Sequence, residues 1–152
     1  MSKAVLISIR PKWAEKIASG EKTIEVRKTR PKIETPFKCY IYCTIDGIKK
    51  MPKDYIAENF ERGKVIGEFT CDRIYELAPL NHAPDGVEQQ ACLTREEIVQ
   101  YLKGTGYGWH ISDLRIYNMP RELGEFTGLR TFKSGFELRV LDRAPQSWCY
   151  VE

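Results

Sequence analysis

The chain of 152 residues is 42% hydrophobic, 30% charged and 11% aromatic, with a formal net charge of +3. Such a length suffices to bury a core within one domain spanning residues 1–152, and such a composition belongs to a globular protein in water. No apolar run reaches the roughly 20 residues of a membrane span and nothing reads as a signal peptide, so the expectation is a cytoplasmic protein with no membrane partner.

In chain order, residues 4–9 (AVLISI) read as a buried strand. Pro11 suits a first helical position, and Trp13, Ala14 and Ile17 give the next helix an apolar face, with Trp13 read as core, before Gly20 stops it. Residues 23–27 form a second strand, and Pro31 and Pro36 make the following stretch a loop. Residues 37–44 alternate Phe37, Cys39, Ile41 and Cys43 against Lys38, Tyr40, Tyr42 and Thr44, the pattern of a half-buried strand. Residues 46–63 are a polar insertion with a short helix candidate at 53–60. Residues 64–77 are one long strand or a bent pair, and 78–92, with two prolines and a glycine, a long connection. At Thr94 a helix opens with a capping box to Glu97 and a staple of Leu93 on Ile98, and Gly104, Gly106 and Gly108 end it. Residues 109–117 read as a strand, 118–133 as irregular, 134–141 as a strand with Phe136, Leu138 and Val140 inward, and 147–151 as the last strand. Six or so strands, two or three interrupting helices and no βαβ rhythm predict an α+β fold: a mixed, mostly antiparallel β-barrel with peripheral helices.

The charge is unevenly placed. Residues 1–38 hold ten Lys and Arg against four Glu, while the rest of the chain is net negative. A basic stripe of this kind, Arg10 included, is either a track for a polyanion or a solvated lysine-rich face. The five cysteines are odd in number and form no C-x-x-C pair, which predicts buried free thiols. With His82 and His110 the only histidines, neither a metal nor another cofactor is expected.

The chemistry concentrates in Gly20-Glu21-Lys22-Thr23-Ile24-Glu25-Val26-Arg27. Side chains alternate along a strand, so Ile24 and Val26 face a core while Glu25 and Arg27 point the other way together. Lys22, at the strand entry, reaches the same pocket. Glu25 and Arg27 are either part of a site or a structural ion pair.

These residues carry a family resemblance. Ser8-Ile9-Arg10-Pro11-Lys12-Trp13-Ala14 looks like the opening strand, turn and helix of the ASCH domain family, and Gly20-x-Lys22-x-x-Glu25-x-Arg27 fits its signature G-x-K-x-x-E-x-R. Residues 37–44 match the next strand, and Tyr107-Gly108-Trp109-His110 is similar to the aromatic strand near the pocket. The resemblance is good over residues 4–44 and looser over 64–77 and 107–117. The insertions near 46–63 and 78–106 have no counterpart. It implies a PUA-like barrel with a cleft beside it for RNA, other nucleic acid or a modified nucleotide. Lys22 and Arg27 suit phosphate, and Glu25 suits an exocyclic amine. Trp109 offers a stacking surface if it is not core, His110 a donor or proton carrier if it is not structural. Tyr40 and Tyr42 share a face, and one of them, taken as Tyr42, borders the cleft.

Three functions follow from this reading. The first is a nucleic-acid or modified-nucleotide binder. The second is a small hydrolase acting on acylated nucleosides or on RNA, with Lys22 as an activated amine and Glu25 as a base. One ASCH branch resembles an amidohydrolase that uses a lysine, a threonine three residues later and a distant glutamate; here Glu25 occupies the threonine position. The third is a protein-interaction module, favoured if Tyr55, Ile56 and Phe60 form an exposed patch.

Overall fold

The computed structural model describes residues 3–45 and 62–152. The helix candidate at 53–60, and with it Tyr55, Ile56 and Phe60, lies outside the described residues. In chain order the elements are β1 (Ala4–Ile9), α1 (Pro11–Ala18), β2 (Ile24–Arg27), β3 (Phe37–Cys43), β4 (Lys64–Glu76), α2 (Val87–Ala91), α3 (Arg95–Leu102), β5 (Tyr107–Arg121), β6 (Thr127–Phe132), β7 (Gly135–Val140) and β8 (Trp148–Val151). The strands form one sheet in the order β2-β5-β4-β3-β1-β8-β6-β7. Among the described residues, only the β1/β3 pair is parallel; the other pairs are antiparallel. The fold is thus mixed α+β and mostly antiparallel, as predicted, but the barrel is not closed: β2 and β7 end the ladder at opposite edges.

β1 lies deep in this sheet, and all six of its residues are buried. A strand covered on both faces reads as an unbroken apolar run, which is how its sequence reads. Three core clusters follow. The largest joins Val5, Ile7, Ile41, Phe69 and Trp109 on one face of the sheet, and α1 adds Ala14 and Ile17. The second lies under α2 and α3, where Ile24 and Val26 meet Leu77, Val87, Ile98 and Leu102. The third covers the other face of β1 with Leu6, Tyr42, Val65 and Phe126. Each fully buried aliphatic side chain contributes roughly 1.5–3 kcal/mol, so β2, buried on both faces, is held firmly although it is four residues long.

Three readings of the later chain are corrected. Residues 78–92 contain a short helix, α2, and residues 118–133 hold the end of β5 and all of β6. Gly128 lies inside β6, where a Cβ would meet Leu141 Cδ2 at 2.9 Å. The strand at 134–141 exists, but Phe136, Leu138 and Val140 do not point into a core; every residue of β7 is exposed. Alternation predicted which residues share a face, while the missing partner layer left that face uncovered. Among the described residues, no helix is long and apolar enough to cross a membrane.

Candidate functional site

The site is built where β1 turns into α1 and α1 turns into β2. Pro11 opens α1 behind Arg10, whose extended backbone aims the chain out of the sheet. Ser19 caps the other end, and Gly20 (φ +85°) takes the left-handed conformation that reverses the chain. The Lys22 backbone N–H then returns to Lys16 O at 3.0 Å, and Thr23 N–H reaches Gln90 O at 2.8 Å, tying the strand entry to α2. These bonds put Lys22 under α1.

Lys22 is 2% exposed. Its Nζ donates to the carbonyl of Ala91 at the end of α2 and lies 4.9 Å from the centre of the Trp13 ring. Burial pulls its pKa below the ordinary 10.5, and the negative charge of Glu25 opposes that pull without cancelling it. Glu25, 7% exposed, keeps Oε1 at 3.7 Å from Arg27 Nε, while its Oε2 is buried with no hydrogen-bond partner among the described residues. A buried carboxylate oxygen without a donor is costly, of order 1–3 kcal/mol or more.

Arg27 is committed elsewhere. One terminal nitrogen donates to Ser8 O at 2.6 Å and the other to Ser147 Oγ at 3.1 Å, so the guanidinium joins β2 to the end of β1 and the approach to β8. Ser8 Oγ donates in turn to Pro145 O at 2.7 Å. The arginine fork is spent on framing the site.

Lys22, Glu25, Arg27 and Arg10 line one cleft of about 670 Å3. Thr44, at the end of β3, joins them with a second buried oxygen, Oγ1, that has no partner among the described residues. Trp13 and Tyr101 form walls, and each carries a lysine over its ring: Lys12 Nζ at 4.8 Å from Trp13 and Lys28 Nζ at 5.1 Å from Tyr101. The floor is therefore buried and of mixed charge, and the rim is basic and aromatic.

Three expected members are absent from this lining. Trp109 is wholly buried, its ring edge-on to Phe37 and Trp148, with both ring centres 6.0 Å away. His110 stands opposite Ile24 in the β2/β5 register and so faces the helix side of the sheet; its Nδ1 lies 2.6 Å from Asp72 Oδ1. One step along a strand reverses the face, which separates it from Glu25. Tyr42 packs in the third core cluster beside Phe126, because β6 and its approach cover that face of β3.

Other residues take their places. Trp13, read as core, is half-buried and lines the cleft, and Tyr101 comes from α3. Glu97, Gln100 and Tyr101 are three and four apart and share one helix face, with Leu93 just before the helix. That spacing, anchored by the Thr94–Glu97 capping box, is the signal from which the second wall is legible. Thr44 and Gln146 had no comparable local signal. Among the described residues, no group of three or more His, Cys, Asp or Glu stands close enough to hold a metal ion.

Comparisons with known proteins agree on the scaffold. Among solved structures, a tyrosine-to-phenylalanine variant of the ASCH protein from Zymomonas mobilis superposes with a TM-score of 0.67 at 21% identity, covering 99% of this chain and 91% of that one. A serine-to-alanine variant of the same protein gives 0.65 at 21%, over 98% and 88%. The structure titled simply as ASCH from that organism gives 0.63 at 21%, over 98% and 87%. At this identity the likeness establishes the fold, which is of the PUA-like type. No curated protein matches. The family model described as the ASCH domain matches residues 7–107, more than half of the chain. With the signature lysine, glutamate and arginine gathered at one cleft, the chain belongs to the ASCH domain family.

Proposed function

We propose that the cleft binds RNA, or a nucleotide carrying a modified base, with Lys22 and Glu25 at its floor and the basic rim guiding the backbone. Family membership supports a nucleic-acid or hydrolase-like role in general terms. The observation that carries the finer reading is the pair of orphaned oxygens, Glu25 Oε2 and Thr44 Oγ1, on residues lining one cleft. Natural interiors satisfy such groups, and exceptions call for a partner from outside. Glu25 is acceptor-only when ionised, so a suitable partner offers N–H groups, as the amino edge of a base does. Trp13 and Tyr101 supply ring faces for stacking, worth roughly 1–3 kcal/mol per base. Arg10, Lys12 and Lys28 supply charge for phosphates. In this reading Arg27 positions Glu25 and does not touch the ligand.

A hydrolase is the second reading, favoured by one observation: burial lowers the pKa of Lys22. A neutral amine has the lone pair that a nucleophile or general base requires. The threonine position of the amidohydrolase pattern is Glu25 here, and Thr44 is the hydroxyl that the cleft offers in its place.

A salt titration of binding to short labelled single- and double-stranded RNA and DNA tests both readings, with products run on a denaturing gel. The variants are Lys22→Ala, Glu25→Gln and Arg10→Gln. Binding whose logarithm falls linearly with that of salt, weakened by all three variants and leaving the oligonucleotide intact, supports the binder. Lys22-dependent cleavage makes it a nuclease. Absence of binding to any polymer overturns the RNA reading and directs the search to single modified nucleotides, nucleosides and their acylated bases.

A further inference from the structure

The edge opposite to the site presents a feature that the cleft does not use. β7 is the terminal strand of the sheet, and its apolar side chains stand in water: Phe136 is 57% exposed, Leu138 41% and Val140 59%. An open edge presents unpaired N–H and C=O groups, and proteins usually blunt it with proline, lysine, a bulge or a cover. Among the described residues β7, GFELRV, has no proline, lysine, bulge or cover, and its charged residues are one of each sign, Glu137 and Arg139.

Its pairing parity is defined. The β6/β7 register runs unbroken from Thr127↔Val140 to Phe132↔Gly135, and Leu141 N–H donates to Phe126 O at 2.9 Å just beyond it. Odd-numbered residues of the strand therefore turn their backbone groups toward β6. Phe136, Leu138 and Val140 turn theirs outward. An incoming antiparallel strand must meet these three.

We propose that β7 pairs with β7 of a second copy of this chain, antiparallel about a two-fold axis through Leu138. Leu138 then faces its own counterpart, Phe136 faces Val140, and about six backbone hydrogen bonds close the edge. The charges select this register. Glu137 and Arg139 form no ion pair among the described residues. In the proposed register each lies opposite the other's counterpart, giving two complementary pairs. Sliding one strand by two residues keeps the hydrogen-bond parity but sets Glu137 against Glu137 or Arg139 against Arg139, which is repulsive. Phe136, Leu138 and Val140 then join their counterparts beside Leu129 in one apolar strip. The shared area falls at or below the small end of specific interfaces, about 1,200 Å2, the class of weak and transient association.

Sedimentation equilibrium from about 1 µM to about 1 mM protein, a range that spans weak reversible association, tests this. The wild type is expected to dimerise. Glu137→Arg alone and Arg139→Glu alone are each expected to weaken the dimer roughly tenfold or more. An equimolar mixture of the two variants restores it, because one edge is then wholly basic and the other wholly acidic. Concentration-dependent protection of the Leu138 amide against hydrogen exchange locates the contact. Leu138→Pro removes one outward N–H without removing a bond to β6, and is expected to abolish the dimer. A wild type that stays monomeric at about 1 mM overturns the proposal, as does a dimer that both charge variants leave unchanged. An edge that captures a peptide of another protein while the chain stays monomeric overturns it as well.

Discussion

Arg27→Gln separates a framing arginine from a ligand-binding one. The guanidinium is largely buried and makes two well-placed bonds, to Ser8 O at 2.6 Å and Ser147 Oγ at 3.1 Å, besides its 3.7 Å approach to Glu25. Hydrogen bonds to a charged group are worth roughly 1.5–3 kcal/mol each. A glutamine amide reaches less far and replaces at most one of them, so the expected loss is about 3 kcal/mol. For a domain of this size that lowers Tm by roughly 6–12 °C. The assay is urea and thermal unfolding, paired with the salt dependence of RNA binding. Each phosphate neutralised contributes about 0.9 to the log–log slope on duplexes and about 0.7 on single strands. A framing arginine leaves that slope unchanged while affinity falls through the disturbed Glu25. Stability unchanged within about 0.5 kcal/mol, the usual range for surface substitutions, with a slope reduced by about one phosphate, would refute this account of Arg27.

Lys22→Met keeps the contact with Trp13 and removes the buried charge. Because the folded-state pKa lies below 10.5, the unfolded chain holds more protons between the two values, and wild-type stability rises with pH across that window. The stability of the wild type relative to Lys22→Met is therefore expected to increase on approaching pH 10.5, measured by urea unfolding of both proteins; a flat difference contradicts the burial account. Trp109→Phe opens space between Phe37 and Trp148 and should cost roughly 1–3 kcal/mol with no change in the salt slope of binding. A selective loss of affinity would return Trp109 to the cleft. Burial raises the thiol pKa of Cys43 to about 11, that of Cys71 to about 12, and that of Cys39 well above the ordinary value. These three should resist a thiol reagent at neutral pH and react only on unfolding, while Cys92, partly exposed, reacts first.

The local grammar of the chain was legible where one element explains itself. Pro11, the Trp13–Ile17 spacing and Gly20 define α1 and its stop; Thr94 and Glu97 define the start of α3; the alternation in 23–27 puts Glu25 and Arg27 on one face. The motif Gly20-x-Lys22-x-x-Glu25-x-Arg27 marked the floor of the cleft, since those side chains are placed by one turn and one short strand.

What lies opposite each of these faces was decided only in three dimensions. Trp109 and His110 are neighbours in sequence, yet the sheet sends one into the core and the other to the far side. The aromatic walls come instead from Trp13 and Tyr101, far apart in the chain and brought together by the docking of α1 and α3. Arg27 was legible only as a partner of Glu25 or of a ligand, because its other partners, Ser8 and Ser147, are separated from it by 19 and 120 positions. β7 has the alternation of a buried strand and no layer to bury it. Periodicity and caps act over a few residues and are written locally, whereas burial depends on which distant segment covers a face, and only the assembled sheet determines that.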